Sequence, residues 1–190
     1  PVNNACLVST KQDSQAFDQV VIAVGPHQLK TLMADLPVPV FDYEPITTVY
    51  LQYDAWLKLP QPVMGLCHGQ AQWLFDRGQC CGQPGLLAVV ISAHPRLHDR
   101  KSALVTQCIE EINLALAPYQ LALPAPLWST VITEKRATFR CTPHLARPQL
   151  TTHHPHIFLA GDYVDGPYPA TIEAAVRSGI AAAEAIHLSR

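Results

Sequence analysis

Between His156 and Ile186 the chain reads HIFLAGDYVDGPYPATIEAAVRSGIAAAEAI, and this succession of strand, turn, loop and small-residue helix limits the folds open to it. Ile157 to Ala160 form a short apolar strand that Gly161 and Asp162 terminate. A helix is expected from Pro169 or Ala170, with Ile172, Ala175, Val176, Gly179, Ile180 and Ala183 along one face. Ala174, Ala175, Ser178 and Gly179 carry almost no bulk, so the helix can approach a sheet or a flat ligand closely. The propensity cost of Gly179 is about 1 kcal/mol. The helix start, Tyr168-Pro169-Ala170-Thr171, has Pro near the first helical position and no Ser, Asp or Asn cap. Its backbone donors are therefore expected to stay open to an electron-rich partner.

The opposite end holds a matching element. Residues 17 to 24, FDQVVIAV, read as a buried strand of a parallel sheet ending at Gly25-Pro26, and HQLKTLMADL continues as a short helix. Strand 17 to 24 and strand 157 to 160 are expected to share one sheet. Between them, the Pro-punctuated LPVPVFDYEP at 36 to 45 reads as an extended crossing, and a domain boundary is placed there. Strands follow at 46 to 53, 71 to 76, 86 to 93 and 128 to 139, which suggests a largely antiparallel sheet. Residues 99 to 117 place Leu104, Cys108, Ile109, Ile112 and Leu116 at helical spacing, so an amphipathic helix should lie on that sheet. No repeat of 20 to 50 residues is present.

Composition narrows the function. Hydrophobic residues make up 48% and charged residues 15% of 190, so the chain is ordered and globular. A formal charge of -2 offers no cationic surplus, so nucleic acid is excluded as an expected partner. No apolar run reaches the roughly 18 residues of a membrane span, and no secretory leader is visible, so a cytoplasmic location is expected. The cysteines Cys6, Cys67, Cys80, Cys81, Cys108 and Cys141 form no C-x-x-C pair and are read as free thiols, with Cys80 and Cys81 in a turn. His153, His154 and His156, with Cys141 and His144 upstream, lack i, i+4 helical geometry. They are read as a solvated loop, and no metal site is expected.

A-G-D-Y followed by G-P-Y-P-A-T-I-E-A-A-V-R-S-G resembles the C-terminal flavin-contacting motif of the FAD-dependent amine oxidase and phytoene desaturase superfamily. Within it, the chain is most similar to the squalene-associated desaturases, the bacterial hydroxysqualene dehydroxylases. QWLFDRG at 72 to 78 and EKRATFRCTPHLARP at 134 to 148 resemble stretches of that subfamily, and FDQVVIAVGPHQL at 17 to 29 resembles the superfamily's last strand before the chain leaves the FAD domain. The resemblance implies an α+β fold: an antiparallel substrate-domain sheet with helices, plus remnant strands and the C-terminal helix of a Rossmann-like FAD domain. Residues 1–35 would end the FAD domain, 36–150 would bind substrate, and 151–190 would supply the return strand and helix.

The resemblance also implies that Gly161 and Asp162 lie at the ribityl chain or pyrophosphate of FAD, and that Thr171 and Ile172 present backbone N-H groups to the pyrimidine end of the flavin. A helix N-terminus there suits the negative charge of reduced flavin, to which it contributes up to about 2 kcal/mol. The nine glycines never fall in a G-x-G-x-x-G arrangement. With the opening at Pro1, this leads to the expectation of the C-terminal part of a longer enzyme, inactive and weak in FAD binding by itself.

The implied reaction is reductive dehydroxylation of hydroxysqualene to squalene. A related phytoene desaturase or amine oxidase is the alternative enzyme, and a flavin-free lipid-binding module the alternative of another class. The apolar isoprenoid substrate calls for an apolar pocket and for peripheral contact with a membrane. Tyr50, Trp73 and Phe75 are the substrate-lining candidates, with Tyr53 and Trp56 beside them. Asp76-Arg77 and Glu134-Lys135-Arg136 could polarise the leaving hydroxyl, organise the cofactor or pair at the surface. No catalytic acid is assigned.

Overall fold

The computed structural model describes residues 5–94 and 101–188. Two compact units result: one holds residues 43–138, the other the described residues up to Asp42 and from Phe139 onward.

In the first of these, strands β4 (Tyr43–Gln52), β5 (Val63–Gly65), β6 (Trp73–Asp76), β7 (Leu86–Ser92) and β8 (Trp128–Phe139, which runs one residue past the unit) form a sheet in the order β5-β6-β7-β4-β8. β5–β6, β6–β7 and β7–β4 are antiparallel. The backbone bond from Leu127 N-H to the Gln52 carbonyl and the Thr47–Thr133 hydroxyl pair set β8 antiparallel beside β4. Because side chains alternate across a strand, Val49, Leu51, Leu74, Leu87, Val89 and Ile91 all project to one side. Helix α3 (Lys101–Leu116) covers that side with Leu104, Cys108, Ile112 and Leu116, one turn apart. Burial pushes the Cys108 thiol up to about 12.

The fit of α3 is keyed by a carboxylate. Glu111 accepts the N-H groups of Gln70 (3.0 Å) and Ala71 (2.8 Å). Gly69, at φ +94°, lies so close that a Cβ would overlap the Glu111 carboxylate, so only glycine serves both the dihedral and the contact. RGQCCGQPG, read from sequence as a turn, begins with helix α2 (Arg77–Cys81). Asp76 caps its start through Gln79 N-H, and Gly82 closes it in the left-handed region.

The other unit contains the hairpin β1 (Cys6–Ser9) and β2 (Ser14–Phe17), strand β3 (Val20–Ile22), helix α1 (Pro26–Leu32), strand β9 (Ile157–Leu159) and helix α4 (Ile172–Leu188). The apolar run from 17 is thus split: Phe17 pairs with Cys6 in the hairpin, and only Val20 to Ile22 join β9. β3 and β9 are parallel and from opposite ends of the chain, as expected of the two segments. Residues 36–42 and 139–150 belong to this unit. Val38 and Phe41 are buried, and the Phe41 ring packs 5.1 Å from Phe139 and 6.4 Å from Tyr163.

The face of α4 differs from the expected one. Ala174, Ser178 and Ala182 are buried, whereas Ile172, Val176 and Ile180 are exposed. Ala182 packs with Phe158 and Ala160, and side chains this small let the helix axis come close to β9. Bulk at those three positions would hold it away.

Candidate functional site

Where β9 ends, the chain turns on Gly161, whose φ of +155° suits glycine alone and whose absent Cβ leaves room for the Tyr163 ring. Ser178 of α4 meets this turn from above. Its Oγ accepts the Gly161 N-H (2.8 Å), and its single proton is shared between the carbonyls of Gly161 (3.0 Å) and Ala175 (2.8 Å). Both backbone polar groups of the turn are therefore satisfied by one helical hydroxyl, and turn and helix form a rigid corner.

Asp162 follows directly. Burial raises its carboxyl above the usual aspartate value, against the opposing pull of its own N-H and that of Tyr163. Tyr163 and Val164 are buried, which anchors the corner from below. The loop that continues to α4 is braced by Arg147. Its guanidinium donates to the Val164 carbonyl (3.1 Å), Asp165 Oδ1 (3.2 Å) and the Gly166 carbonyl, and Gln149 donates to Asp165 Oδ2 (3.1 Å). Leu150, Val164, Tyr168, Ala174, Arg177 and Ser178 line a mostly apolar cavity over this loop. The Arg177 guanidinium stands 4.8 Å from the Tyr168 ring centre and bonds Glu173 Oε1 at 2.5 Å.

The sequence reading left the start of α4 uncapped. In the structure Ala170 takes φ +53°, the helix begins at Ile172, and Thr171 is the cap, its Oγ1 accepting the Ala174 N-H at 3.0 Å. Threonine performs the role that serine or aspartate was sought for. The N-H groups of Ile172 and Glu173 have no acceptor within the helix, as at any helix start, and Ile172 is exposed. Gly161 and Asp162 thus form the turn that Ser178 holds, and Thr171 and Ile172 start the helix that carries Ser178. Ser178 and Arg147, which organise this corner, were missed as organisers. Ser178 was read only as a small residue, and Arg147 lies in the EKRATFRCTPHLARP stretch with nothing local to mark its reach.

In the five-stranded unit, Tyr50, Trp73 and Phe75 share the sheet face opposite α3. Tyr50 and Phe75 flank Ala88 in one cross-strand row, and Trp73 faces Val90 in the next. The Trp73 ring lies over Gly65, 3.6 Å from where a Cβ would stand. Val63, Trp128 and Ile132 extend this face by strand alternation, and Trp73 (49%), Trp128 (49%) and Ile132 (57%) are substantially exposed. Tyr53 departs from the lining assignment: it is buried in the core on the α3 side, where burial pushes its hydroxyl up to about 12. Trp56 stands exposed beyond β4. Asp76 is not a surface partner of Arg77. It is buried and accepts Leu59 N-H (2.9 Å), Gln79 N-H (3.1 Å) and Gln79 Nε2 (2.7 Å), while Arg77 bonds Gln83. Glu134 accepts the backbone N-H of Arg136. No helix among the described residues is long and apolar enough to cross a membrane.

The model of the family described as flavin containing amine oxidoreductase matches residues 3–187. Hydroxysqualene dehydroxylases of Sinorhizobium fredii, Rhodopseudomonas palustris and Zymomonas mobilis are 32%, 34% and 31% identical over 88%, 89% and 88% of this chain. The chain spans 38% of the length of each. The fold is that of a protoporphyrinogen oxidase-like protein from Exiguobacterium sp. 255-15, at a TM-score of 0.70 and 15% identity over 100% of this chain and 45% of that one.

Proposed function

The chain belongs to the flavin-containing amine oxidoreductases, and on that premise we propose that it supplies one wall of an FAD site and the apolar floor of a substrate cavity in an enzyme that reductively dehydroxylates hydroxysqualene. The observation that carries the cofactor half is the corner at Gly161 and Asp162. A half-buried carboxyl, raised by burial, sits there on a turn that Ser178 and Arg147 hold rigid. Such a group gains from a hydroxyl donor, and the ribityl chain of FAD offers several. The helix start presents N-H groups suited to an anionic edge. The residues present therefore fit the cofactor.

A reduced flavin, when bound, would supply the hydride that replaces the substrate hydroxyl, which would leave as water with one added proton, so that electrons and atoms balance. This chain's residues bind, orient and exclude. Tyr50, Trp73, Phe75 and Val90 offer a surface without charge, which suits a hydrocarbon chain and keeps water from the reacting carbon. Asp162 and Thr171 orient the cofactor. A substrate of this kind resides in a bilayer, so the proposal includes peripheral contact with a membrane surface.

The test is to purify the full-length protein and measure bound flavin by absorbance, then incubate it anaerobically with hydroxysqualene and a reductant and assay squalene. Bound flavin with squalene formed is the expected result. Absence of flavin overturns the cofactor reading; flavin without conversion overturns the substrate reading.

A further inference from the structure

Away from this corner, the turn after α1 and the loop before β9 bring three ligand-bearing side chains to one point. His153 Nε2 lies 3.0 Å and His154 Nε2 2.8 Å from the same oxygen, Asp35 Oδ2. All three ligand atoms fall within 4.8 Å of one another. Adjacent residues of an extended segment project to opposite sides, yet here the two imidazoles stack, with ring centres 4.1 Å apart at 40°. Thr152 imposes this arrangement: its Oγ1 accepts the His154 N-H (3.1 Å) and lies 3.0 and 2.9 Å from the carbonyls of His154 and Ile157. The backbone is folded back on itself so that both ε nitrogens converge.

We propose that Asp35, His153 and His154 bind a borderline divalent transition-metal ion of the Zn2+ class, which ties the turn after α1 to the loop before β9. The donor set, two imidazole nitrogens and one carboxylate oxygen, is that of an open three-ligand site. With bonds of about 2.0 to 2.1 Å, a tetrahedral ion needs ligand atoms roughly 3.3 Å apart, so the two His–Asp pairs at 3.0 and 2.8 Å need to open by a few tenths of an ångström, and the two imidazole nitrogens, within 4.8 Å of each other, need to settle at the same spacing. The side chains of His153, His154 and Asp35 are 51%, 38% and 56% exposed, which gives the ion an entry path and leaves its remaining position to water. Both connected segments belong to one unit, and the ion would close a loop between its two chain ends.

The test is titration of the chelator-treated full chain with Co2+, read by visible absorption, and of the same chain with Zn2+, read by thermal melting. One Co2+ per chain, a spectrum of nitrogen and oxygen ligands, and a melting temperature raised by Zn2+ are expected. Asp35→Asn, which keeps the shape and an acceptor for the imidazoles, should weaken binding at least about tenfold and abolish the Zn2+ shift, as should the double variant His153→Ala, His154→Ala. A thiolate-to-cobalt charge-transfer band would place the ion on the exposed Cys67, Cys80, Cys81 or Cys141 and overturn the proposal. Unaltered affinity in the folded Asp35→Asn chain, or no saturable binding in the parent, overturns it equally.

Discussion

Ser178 Oγ stands 2.8 Å from the N-H and 3.0 Å from the carbonyl of Gly161, so one hydroxyl on α4 satisfies both polar groups of the turn that ends β9. Ser178→Ala removes both bonds at a buried position without adding bulk. The expected loss of stability is about 1 to 3 kcal/mol, measured by urea unfolding of the purified chain, with flavin content of the full-length protein falling in parallel. Unchanged stability would mean that packing alone sets the distance between α4 and β9.

Asp162→Ala in the full-length protein should weaken flavin binding by roughly 1.5 to 3 kcal/mol, the range for a hydrogen bond to a charged group. Thr171→Ala loses a helix cap, and should lower stability by about 1 kcal/mol while disturbing flavin less, since backbone donors survive. Flavin retention is read by absorbance after extensive dialysis. If the Asp162 variant keeps its flavin as the parent does, this carboxyl does not touch the cofactor.

Phe75 and Trp73 lie on the open sheet face, away from the core that α3 covers. Phe75→Ser should therefore raise KM for an apolar substrate, by about tenfold for roughly 1.4 kcal/mol of lost apolar contact, with bound flavin unchanged. Steady-state kinetics alongside flavin absorbance separate the two. An equal loss of flavin would show that the substitution damages the fold rather than the substrate surface.

Asp76 supplies a pH dependence with a definite sign. Burial alone would raise its carboxyl, but bonds from Leu59 N-H, Gln79 and Gly78 N-H outweigh it and leave the value below 3.8. A lowered folded-state value means stability that is fully present above the unfolded value and lost as pH falls through the folded one. Asp76→Asn should therefore destabilise the chain at neutral pH, and the gap to the parent should close below about pH 4. Unfolding midpoints measured from pH 7 down to pH 3 decide it; a constant gap would assign the effect to shape instead of charge.

Elements whose cause is local were legible from the residues themselves. β8 and α3 follow from alternation and from apolar residues one turn apart, and the strand-turn-helix at 157 to 188 follows from an apolar run, Gly161-Asp162 and a small-residue helix. The start of α4 departs from the uncapped expectation because Thr171 Oγ1 accepts the Ala174 N-H.

What the tertiary structure decided are relationships between residues far apart in the chain. Periodicity places Ile172, Val176 and Ile180 on an apolar stripe, yet the buried face is Ala174, Ser178 and Ala182, because close approach to β9 and the Gly161 bonds outweigh bulk. Nothing near His153 and His154 in sequence announces Asp35, and nothing near Gly161 announces Arg147 or Ser178. Propensity and patterning act over a few residues and determine which segments become strands and helices. Which face docks, and which side chains then converge, depends on steric fit and hydrogen-bond satisfaction that exist only once the chain has closed on itself.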